Sequence, residues 1–270
     1  MDRHELECFA QTFVSSSPLN TVRPEKTGRE IRLFDEPLFG YARADDPLFD
    51  QFRLPEVIGS HFRMPHEWLT DAKTVVSFFL PFTEDVRQSN REQHAMPGEG
   101  WLYGRVEGQA FVNALCNALK NYLHKNGCCA VVPCASEEFW TVSEPAKNGL
   151  LFTSNWSERH VAYACGLGTF GLSRGLITAK GMAGRFGSLV TDWSTTPSAR
   201  PYSHVYEYCI RCGRCAERCP GHAISMESGK DHHLCLCYQQ SILPQMLPRF
   251  GCGLCQTDVP CEYRKPGGKE

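Results

Sequence analysis

Long apolar runs and long runs of one charge are both missing from this sequence. The longest apolar run, near residues 75–81, is far shorter than the roughly 20 residues that a membrane-spanning helix needs. The first residues also lack the basic segment and following apolar stretch of a secretion signal. We therefore expect a cytoplasmic protein, in a reducing and oxygen-poor compartment.

The composition gives no support for binding to nucleic acid. The net charge is −2 and no segment is strongly basic, whereas proteins that bind nucleic acid usually present a basic patch. The hydrophobic fraction of 42% and the charged fraction of 21% are ordinary for a globular protein. The length of 270 residues suits one large domain or two smaller ones.

Cysteine, by contrast, is abundant. The chain has 15 cysteines, and the odd number together with the missing secretion signal argues against a disulfide framework. Residues Cys209 to Pro220 follow the spacing C-x2-C-x2-C-x3-C-P, which in bacterial ferredoxins holds a 4Fe–4S cluster. A zinc site is the alternative, but it usually shows two C-x2-C pairs separated by a spacer. The spacing therefore favours an iron–sulfur cluster over zinc.

A second set of cysteines follows downstream. In two-cluster ferredoxins the fourth cysteine of such a run, here Cys219, ligates the other cluster. The segment Cys252–Cys255 repeats the C-x2-C spacing, and Cys261 follows it. One of Cys235 and Cys237, which lie between the runs, completes a set of eight, the number that two 4Fe–4S clusters need.

Hydrophobic patterns before residue 200 predict an α+β fold. Residues 74–82 form a β-branched and aromatic run typical of a strand buried on both faces, and residues 101–126 form the longest predicted helix. The polar residues 85–100 are predicted to form a loop. Further strands are predicted at residues 128–133, 175–178 and 185–192.

The Ser/Thr/Pro-rich segment 194–201 marks an expected domain boundary. It separates residues 1–200, a substrate-binding α+β domain, from residues 201–270, a ferredoxin-like domain with two 4Fe–4S clusters.

A glycine-rich stretch follows a short predicted helix at residues 156–165. Gly166 ends that helix, and Gly166, Gly168 and Gly171 match the G-x-G-x-x-G spacing of dinucleotide-binding sites. The stretch neither follows a strand nor opens a helix, so the dinucleotide interpretation is weak. We interpret it as a sharp turn whose bare backbone approaches a large flat ligand, with a plain turn between two elements as the alternative.

Together these stretches resemble the iron–sulfur proteins related to epoxyqueuosine reductase. The resemblance is carried by residues 157–159 (Ser-Glu-Arg) leading into residues 164–171, by the strand that ends at residues 190–192 (Val-Thr-Asp), and by the two cysteine runs. It covers residues 150–262 well and the preceding part only loosely.

The resemblance implies two 4Fe–4S clusters and a cobalamin. It also favours Cys235 over Cys237, because Cys235-x-x-Tyr238 is similar to the family's isolated cysteine between the runs. The first domain would then be an α/β sandwich-like domain, similar to cobalamin-processing and flavin-reductase-like proteins. The cluster ligands so predicted are Cys209, Cys212, Cys215, Cys219, Cys235, Cys252, Cys255 and Cys261.

The family likeness further implies a corrinoid that lies between the two domains, against the turn from Gly166 to Gly171. Arg159 would anchor a phosphate or propionamide group, although a salt bridge with a nearby carboxylate explains this residue equally well. The residues implied for cofactor binding are Arg159, Gly166, Gly168, Thr169, Phe170 and Gly171.

Three features depart from the family. Phe152 stands where the family has a catalytic aspartate, and no C-terminal helical repeats of the kind that help to grip tRNA follow Cys261. Both argue against epoxyqueuosine chemistry, the reduction of an epoxide on a tRNA base, and against tRNA as a partner. The last cysteine run also lacks the usual C-P ending, since Pro260 precedes Cys261, which bears on the geometry of one ligand.

We expect an oxidoreductase that passes low-potential electrons through two 4Fe–4S clusters to a bound corrinoid or a small substrate. Its electron donor would be a protein such as ferredoxin or flavodoxin. With Phe152 in place of the family's acid, the candidate proton donors are Glu158, His160 and Tyr163, each of which also suits a purely structural role.

The alternatives are a ferredoxin-type electron carrier, a reductive activator of a partner corrinoid protein, and a corrinoid-trafficking protein. A substrate-sized cavity beside the glycine turn favours the reductase, whereas an exposed cluster edge without a cavity favours the carrier.

Overall fold

The computed structural model describes residues 2–142 and 152–267 and shows a mixed helix and strand architecture. The helices are α1 (Arg3–Ser16), α2 (Pro47–Phe52), α3 (Pro65–Trp68), α4 (Glu84–Arg91), α5 (Glu99–Lys125), α6 (Glu158–Ala164), α7 (Arg214–Glu217) and α8 (His232–Ile242). The strands are β1 (Thr21–Val22), β2 (Ile31–Arg32), β3 (Leu38–Arg43), β4 (Thr74–Pro81), β5 (Ala130–Val131), β6 (Thr141–Val142), β7 (Thr153–Ser154), β8 (Gly168–Phe170), β9 (Leu176–Thr178), β10 (Gly184–Thr191), β11 (Ile224–Ser225) and β12 (Gly229–Lys230).

The largest sheet has four antiparallel strands in the order β3–β4–β10–β5. β4 pairs with β10 along its whole length, from Thr74 opposite Thr191 to Pro81 opposite Gly184. Every residue of β4 is buried, so the prediction of a strand buried on both faces is confirmed. The strand predicted at residues 185–192 is β10, which begins and ends one residue earlier.

Helices cover both faces of this sheet because successive side chains of β4 point to opposite sides. Val76, Phe78 and Leu80 pack on one side, in a core that includes residues of α1 and α5. Val75 packs on the other side with residues of α2 and α6. The sheet is thus enclosed between two layers of helices.

The longest helix is α5, with 27 residues. Phe111, Leu115 and Leu119 recur every four residues and are buried against the sheet, which is the period expected of an amphipathic helix. Its position matches the helix predicted at residues 101–126. Among the described residues, no helix is both long and apolar enough to cross a membrane.

The predicted loop at residues 85–100 is wrong in its first half, because α4 occupies most of it. Only Val86 and Asn90 of α4 are buried, so the sequence shows no apolar helical period there. The Asn90 side chain donates a hydrogen bond to Thr257 Oγ1 over 3.0 Å. Contacts with the C-terminal part of the chain therefore stabilise a helix that local hydrophobicity does not indicate.

The segment at residues 194–201, the expected domain boundary, lies against the central sheet. Ser198 N donates to Tyr41 O over 2.8 Å, and Tyr41 N donates to Ser198 Oγ over 3.1 Å. Farther along the chain, Met182 N donates to Cys261 O over 2.9 Å. The parts before and after residue 200 thus share many contacts, and their division into two domains stays a prediction.

A buried carboxylate fixes the C-terminal segment to α4. Glu262 is only 2% exposed, and its Oε1 lies 2.6 Å from Nη2 of Arg91 and 3.6 Å from Nη1 of Arg87. Its Oε2 accepts a hydrogen bond from Asp258 N over 2.7 Å. These contacts also position the adjacent Cys261, one of the predicted ligands.

We expect Glu262→Ala to destabilise the fold far more than Asp45→Ala. Removal of Glu262 takes away the buried carboxylate that pairs with Arg87 and Arg91. Both arginines keep Glu84, which is 56% exposed, so we expect a cost of about 2 kcal/mol. Asp45 pairs with Arg43 at the surface, where the two side chains are 68% and 65% exposed, and such pairs contribute about 0–1 kcal/mol. Thermal denaturation of the anaerobically purified variants measures both effects, and equal shifts in melting temperature would contradict the role given to Glu262.

Candidate redox site

The eight predicted ligands lie in two groups of four. The first group lines one small cavity, and the second group lines a larger cavity of about 350 Å³, called the second cavity below. Cys219 belongs to the first cysteine run but faces the second group, which is the arrangement of two-cluster ferredoxins. The first group is Cys209, Cys212, Cys215 and Cys261, and the second group is Cys219, Cys235, Cys252 and Cys255.

Burial raises the pKa of several thiols in both groups. The pKa values of Cys215 and Cys261 are each raised to about 12, first by burial and then by neighbouring thiolates. The pKa of Cys252 is raised to about 12 in the same way. Cys255 of the second group contributes to the upward pKa shift of Cys215 in the first group. The two groups therefore lie next to each other. Thiols with pKa values this high keep their protons at neutral pH unless a metal centre binds the sulfur atoms and displaces the protons.

Short turns and donated hydrogen bonds position the sulfur atoms. In the first run the backbone turns at Gly213, where φ is 76°, a value that glycine adopts without a steric cost. Ala223 N donates to Cys219 Sγ over 3.3 Å, and Gln239 Nε2 donates to Cys235 Sγ over 3.2 Å. Hydrogen bonds to ligand sulfur raise the reduction potential of an iron–sulfur cluster, because they stabilise the extra negative charge.

Cys237 stays outside both groups. It is exposed, and its Sγ lies 3.8 Å from Nδ1 of His233 on the same helix, α8. Cys235 instead lines the second cavity, as the resemblance implies. Within residues 2–142 and 152–267, no three His, Cys, Asp or Glu side chains converge on a site for a single metal ion.

Four cationic side chains line the second cavity together with the cysteines. Protein surrounds each of these side chains, but part of the surface of each faces the cavity. They come from four different elements, and of the four only Arg159 was indicated by a local motif in the sequence. They are Arg105 from α5, Arg159 from α6, Arg185 from β10 and Lys230 from β12.

The electrostatic surroundings of these cations differ. The pKa of Arg185 is lowered to about 9, first by burial and then by the charges of Arg105 and Arg159. At Lys230 burial also lowers the pKa, but thiolates of the second group outweigh it and the net change is upward. Among the charge interactions, those of Lys230 are mainly attractions to the cysteines, whereas those of Arg185 are mainly repulsions from other cations.

Of the three predicted proton donors, Glu158 lines the second cavity. Its Oε1 accepts a hydrogen bond from Cys134 Sγ over 3.1 Å, and its Oε2 is buried without a hydrogen-bond partner in the described part of the chain. Burial raises the pKa of this carboxyl group, and the interactions with Cys134, Ser188 and Arg185 only partly oppose the shift. Glu158 thus keeps its proton to a higher pH than an exposed glutamate does.

The other two candidates do not line this cavity. His160 Nδ1 lies 2.8 Å from Ser157 Oγ, and the imidazole ring packs against Phe170 at a centroid distance of 5.0 Å. The pKa of His160 is lowered to about 3, first by burial and then by Arg159, so its imidazole is uncharged at neutral pH. Tyr163 stacks on the ring of Tyr202 at 5.2 Å.

The glycine turn is filled by the chain itself. A Cβ atom on Gly166 would lie 2.7 Å from Ala199 O, one on Gly168 would overlap Ile177 O, and one on Gly171 would lie 3.2 Å from Ile177 Cδ1. Residues 168–170 form β8, which pairs with β9. These contacts support the alternative of a plain turn. The space left by the absent side chains of the glycines is occupied by other segments of the chain and not by a flat ligand.

Thr169 and Phe170, also predicted to bind the cofactor, hold the segment just before the first cysteine run. Thr169 Oγ1 accepts a hydrogen bond from Tyr208 N over 2.8 Å. Phe170 N donates to Val205 O over 2.7 Å. The hairpin of β8 and β9 is therefore a support on which the first group of cysteines is positioned.

Two of the cofactor-binding candidates border a cavity. Arg159 lines the second cavity, and Gly171 lines the small cavity of the first group. Arg159 Nη1 donates to Arg174 O over 2.7 Å, so the side chain is held by a carbonyl group. Phe152, at the position of the family's acid, stacks on His232 at a centroid distance of 5.6 Å and lines neither cavity.

We expect Gly168→Ala to lower the melting temperature far more than Gly127→Ala. A methyl group on Gly168 would overlap Ile177 O and separate β8 from β9, at a cost of about 3 kcal/mol. At Gly127 φ is 78° but nothing lies within 4 Å of an added Cβ, so only backbone strain of about 1 kcal/mol remains. Thermal denaturation and iron content measure the two variants, and a Gly168→Ala protein as stable as the Gly127→Ala control would show that the turn is not packed as described.

The cysteine run matches a known protein family. A family model described as a 4Fe–4S binding domain matches residues 202–225, which include the whole run from Cys209 to Cys219. No curated protein sequence matches the chain. The match shows a 4Fe–4S binding segment in this part of the chain.

Similar solved structures include epoxyqueuosine reductases and reductive dehalogenases. Epoxyqueuosine reductase from Bacillus subtilis is 17% identical, with a TM-score of 0.55 over 98% of this chain and 66% of that chain. An epoxyqueuosine reductase in complex with an epoxyqueuosine-modified tRNA stem loop is 16% identical, with a TM-score of 0.58 over 98% and 66%. A catabolic reductive dehalogenase is 14% identical, with a TM-score of 0.55 over 97% and 37%.

The chain thus spans 66% of the length of these two epoxyqueuosine reductase structures. Identities of 14% to 17% show a shared fold and nothing more about activity. The chain has the fold of the iron–sulfur proteins related to epoxyqueuosine reductase, as its sequence resemblance predicts, and carries a 4Fe–4S binding segment at residues 202–225.

Proposed function

We propose that the chain is an iron–sulfur oxidoreductase that carries electrons from its surface to a small substrate in the second cavity. The observation that supports this proposal is the arrangement of the eight cysteines in two adjacent groups. The first group reaches the surface at Cys212, which is exposed. The second group lines a cavity that also contains a buried acid, Glu158.

Each group has the donor set of a 4Fe–4S cluster, four thiolates from the predicted ligands. Cys209, Cys212, Cys215 and Cys261 would hold the first cluster, and Cys219, Cys235, Cys252 and Cys255 the second. Bound clusters supply single electrons at low potential.

The electron donor would dock where the first group reaches the surface. Beside the exposed Cys212, Ile210 is 53% exposed and offers an apolar contact. Arg211 adds a positive charge in the same loop. The cleft that Cys212 lines also carries charges of both signs, so a protein donor such as a ferredoxin or flavodoxin would be oriented by complementary charges before contact.

In the second cavity, the chain's own residues would hold the substrate and supply a proton. Burial raises the pKa of Glu158 and so moves it towards the working pH, where a general acid works best. Leu176, Met182 and Phe186 give the cavity an apolar wall, which limits access of water. Glu158 is the proton donor that the geometry favours over His160 and Tyr163.

A cobalamin does not fit the residues present. The second cavity has about 350 Å³, near the lower end of the roughly 300–1,000 Å³ that enclose a drug-sized ligand, and a cobalamin is far larger than such a ligand. The turn against which the resemblance places the corrinoid is closed by Ile177 and Ala199. The corrinoid is therefore not part of the proposed function.

A small substrate also suits this site better than tRNA, the molecule bound in one epoxyqueuosine reductase structure. The second cavity is small, and Phe152 occupies the position that the resemblance gives to the catalytic aspartate. A ferredoxin-type carrier would need the exposed edge at Cys212 but no cavity with an acid in it, so the second cavity favours the reductase.

Metal analysis of the anaerobically purified protein tests the proposal. We expect about eight irons per chain and a visible absorption band that bleaches when a reductant is added. After incubation with hydroxocobalamin, we expect no cobalt to remain bound through gel filtration. Zinc in place of iron would overturn the proposal, and retained cobalt would show that a corrinoid binds despite the small cavity.

The two cysteines of α8 offer a matched pair of variants. We expect Cys235→Ala to reduce the iron content from about eight to about four, because the second cluster loses a ligand. Cys237→Ala should leave it unchanged, since Cys237 is exposed and outside both groups. Iron and sulfide analysis of the two variants measures this difference, and loss of iron in Cys237→Ala but not in Cys235→Ala would reverse the ligand assignment.

A further inference from the structure

Positive charge exceeds negative charge among the side chains of the second cavity. Within the described residues, its only carboxylic acid is Glu158, and four cations face it: Arg105, Arg159, Arg185 and Lys230. None of the four forms an ion pair with an acidic side chain in the described part of the chain. Burial raises the pKa of Glu158 and so favours its uncharged form.

The hydrogen-bond partners of Arg159 and Arg185 are uncharged. Arg159 donates to the carbonyl oxygen of Arg174, and Arg185 donates to Oε1 of Gln109. Arg105 Nε is buried and has no hydrogen-bond partner among the residues that the structure describes. A buried donor without an acceptor costs free energy. A ligand that offers an acceptor to Arg105 Nε would remove this cost and bind strongly.

The second cluster would neutralise only part of this charge. An oxidised 4Fe–4S cluster with its four thiolates carries roughly two negative charges, and four cations surround it. Lys230 is held by the thiolates of the second group. The charged groups that shift the pKa of Arg185 are Arg105, Arg159 and Glu158. A surplus of positive charge therefore remains on the side of the cavity where Arg185 lies.

We propose that the second cavity binds a small anion, an oxyanion or a short carboxylate, between Arg105 and Arg185. This inference rests on the proposed function, for which it names the class of substrate. The planar guanidinium group donates two parallel hydrogen bonds to carboxylates and oxyanions. The volume of about 350 Å³, which a bound cluster would share, restricts the ligand to a few heavy atoms.

Anion binding to the iron-loaded protein tests the inference. Isothermal titration with sodium nitrite, sodium sulfite and sodium acetate under anaerobic conditions measures affinity, and the electron paramagnetic resonance spectrum of the reduced protein reports on the second cluster. We expect at least one of these anions to bind and to change that spectrum. Acetamide, which has the shape of acetate but no charge, should do neither.

Substitution of the cations supplies the second measurement. We expect Arg105→Gln and Arg185→Gln each to weaken anion binding about tenfold or more, since each removes a charge-assisted hydrogen bond. Arg53→Gln is the control, because Arg53 lies outside the cavity and is 43% exposed. The affinity of the Arg53→Gln variant for the anion should equal that of the unchanged protein.

The outcomes separate this inference from the function on which it rests. About eight irons per chain with no binding of nitrite, sulfite or acetate would overturn the inference alone. Binding of acetamide as tight as that of acetate, or equal weakening by Arg53→Gln, would also overturn it. A protein without iron would overturn the proposed function and this inference together.

Discussion

Electrostatic attraction between buried cations and the thiolates of the second group is the interaction on which this site depends. Cysteines of this group favour the charged forms of Arg105, Arg159 and Lys230. At Lys230 they outweigh burial and raise the pKa, whereas at the two arginines burial is the larger effect and the pKa is lowered. Isolated charges would be costly in such a place. Negative sulfur ligands and positive side chains can be buried there because each offsets the cost of burying the other.

The rest of the fold brings these charges together. Arg185 belongs to β10 in the central sheet, Arg105 and Arg159 belong to helices on its opposite faces, and Lys230 belongs to the C-terminal segment. That segment is attached to α4 by the buried Glu262. The same contacts that close the fold therefore also close the cavity, so the stability of the protein and the geometry of the site are linked.

Prediction from the sequence succeeded where the signal is local. The buried strand β4 and the long helix α5 follow from runs of apolar residues at the right period. It failed at α4, which has only two buried residues, one of them bonded to the C-terminal segment, and it did not resolve the glycine turn. Gly166 and Gly168 are needed because Ala199 and Ile177 approach them, and a sequence does not show which segment will pack against a glycine.

The sequence by itself determined that the chain has a 4Fe–4S binding segment, because cluster ligation requires cysteines at short, defined spacings along one loop. Only the tertiary structure brought Arg105, Arg185 and Lys230 to the cavity that Glu158, Arg159 and the second group of cysteines line. The physical reason is that burial and charge interaction depend on distance in space, and these three cations lie far apart in the chain on elements that carry no shared motif.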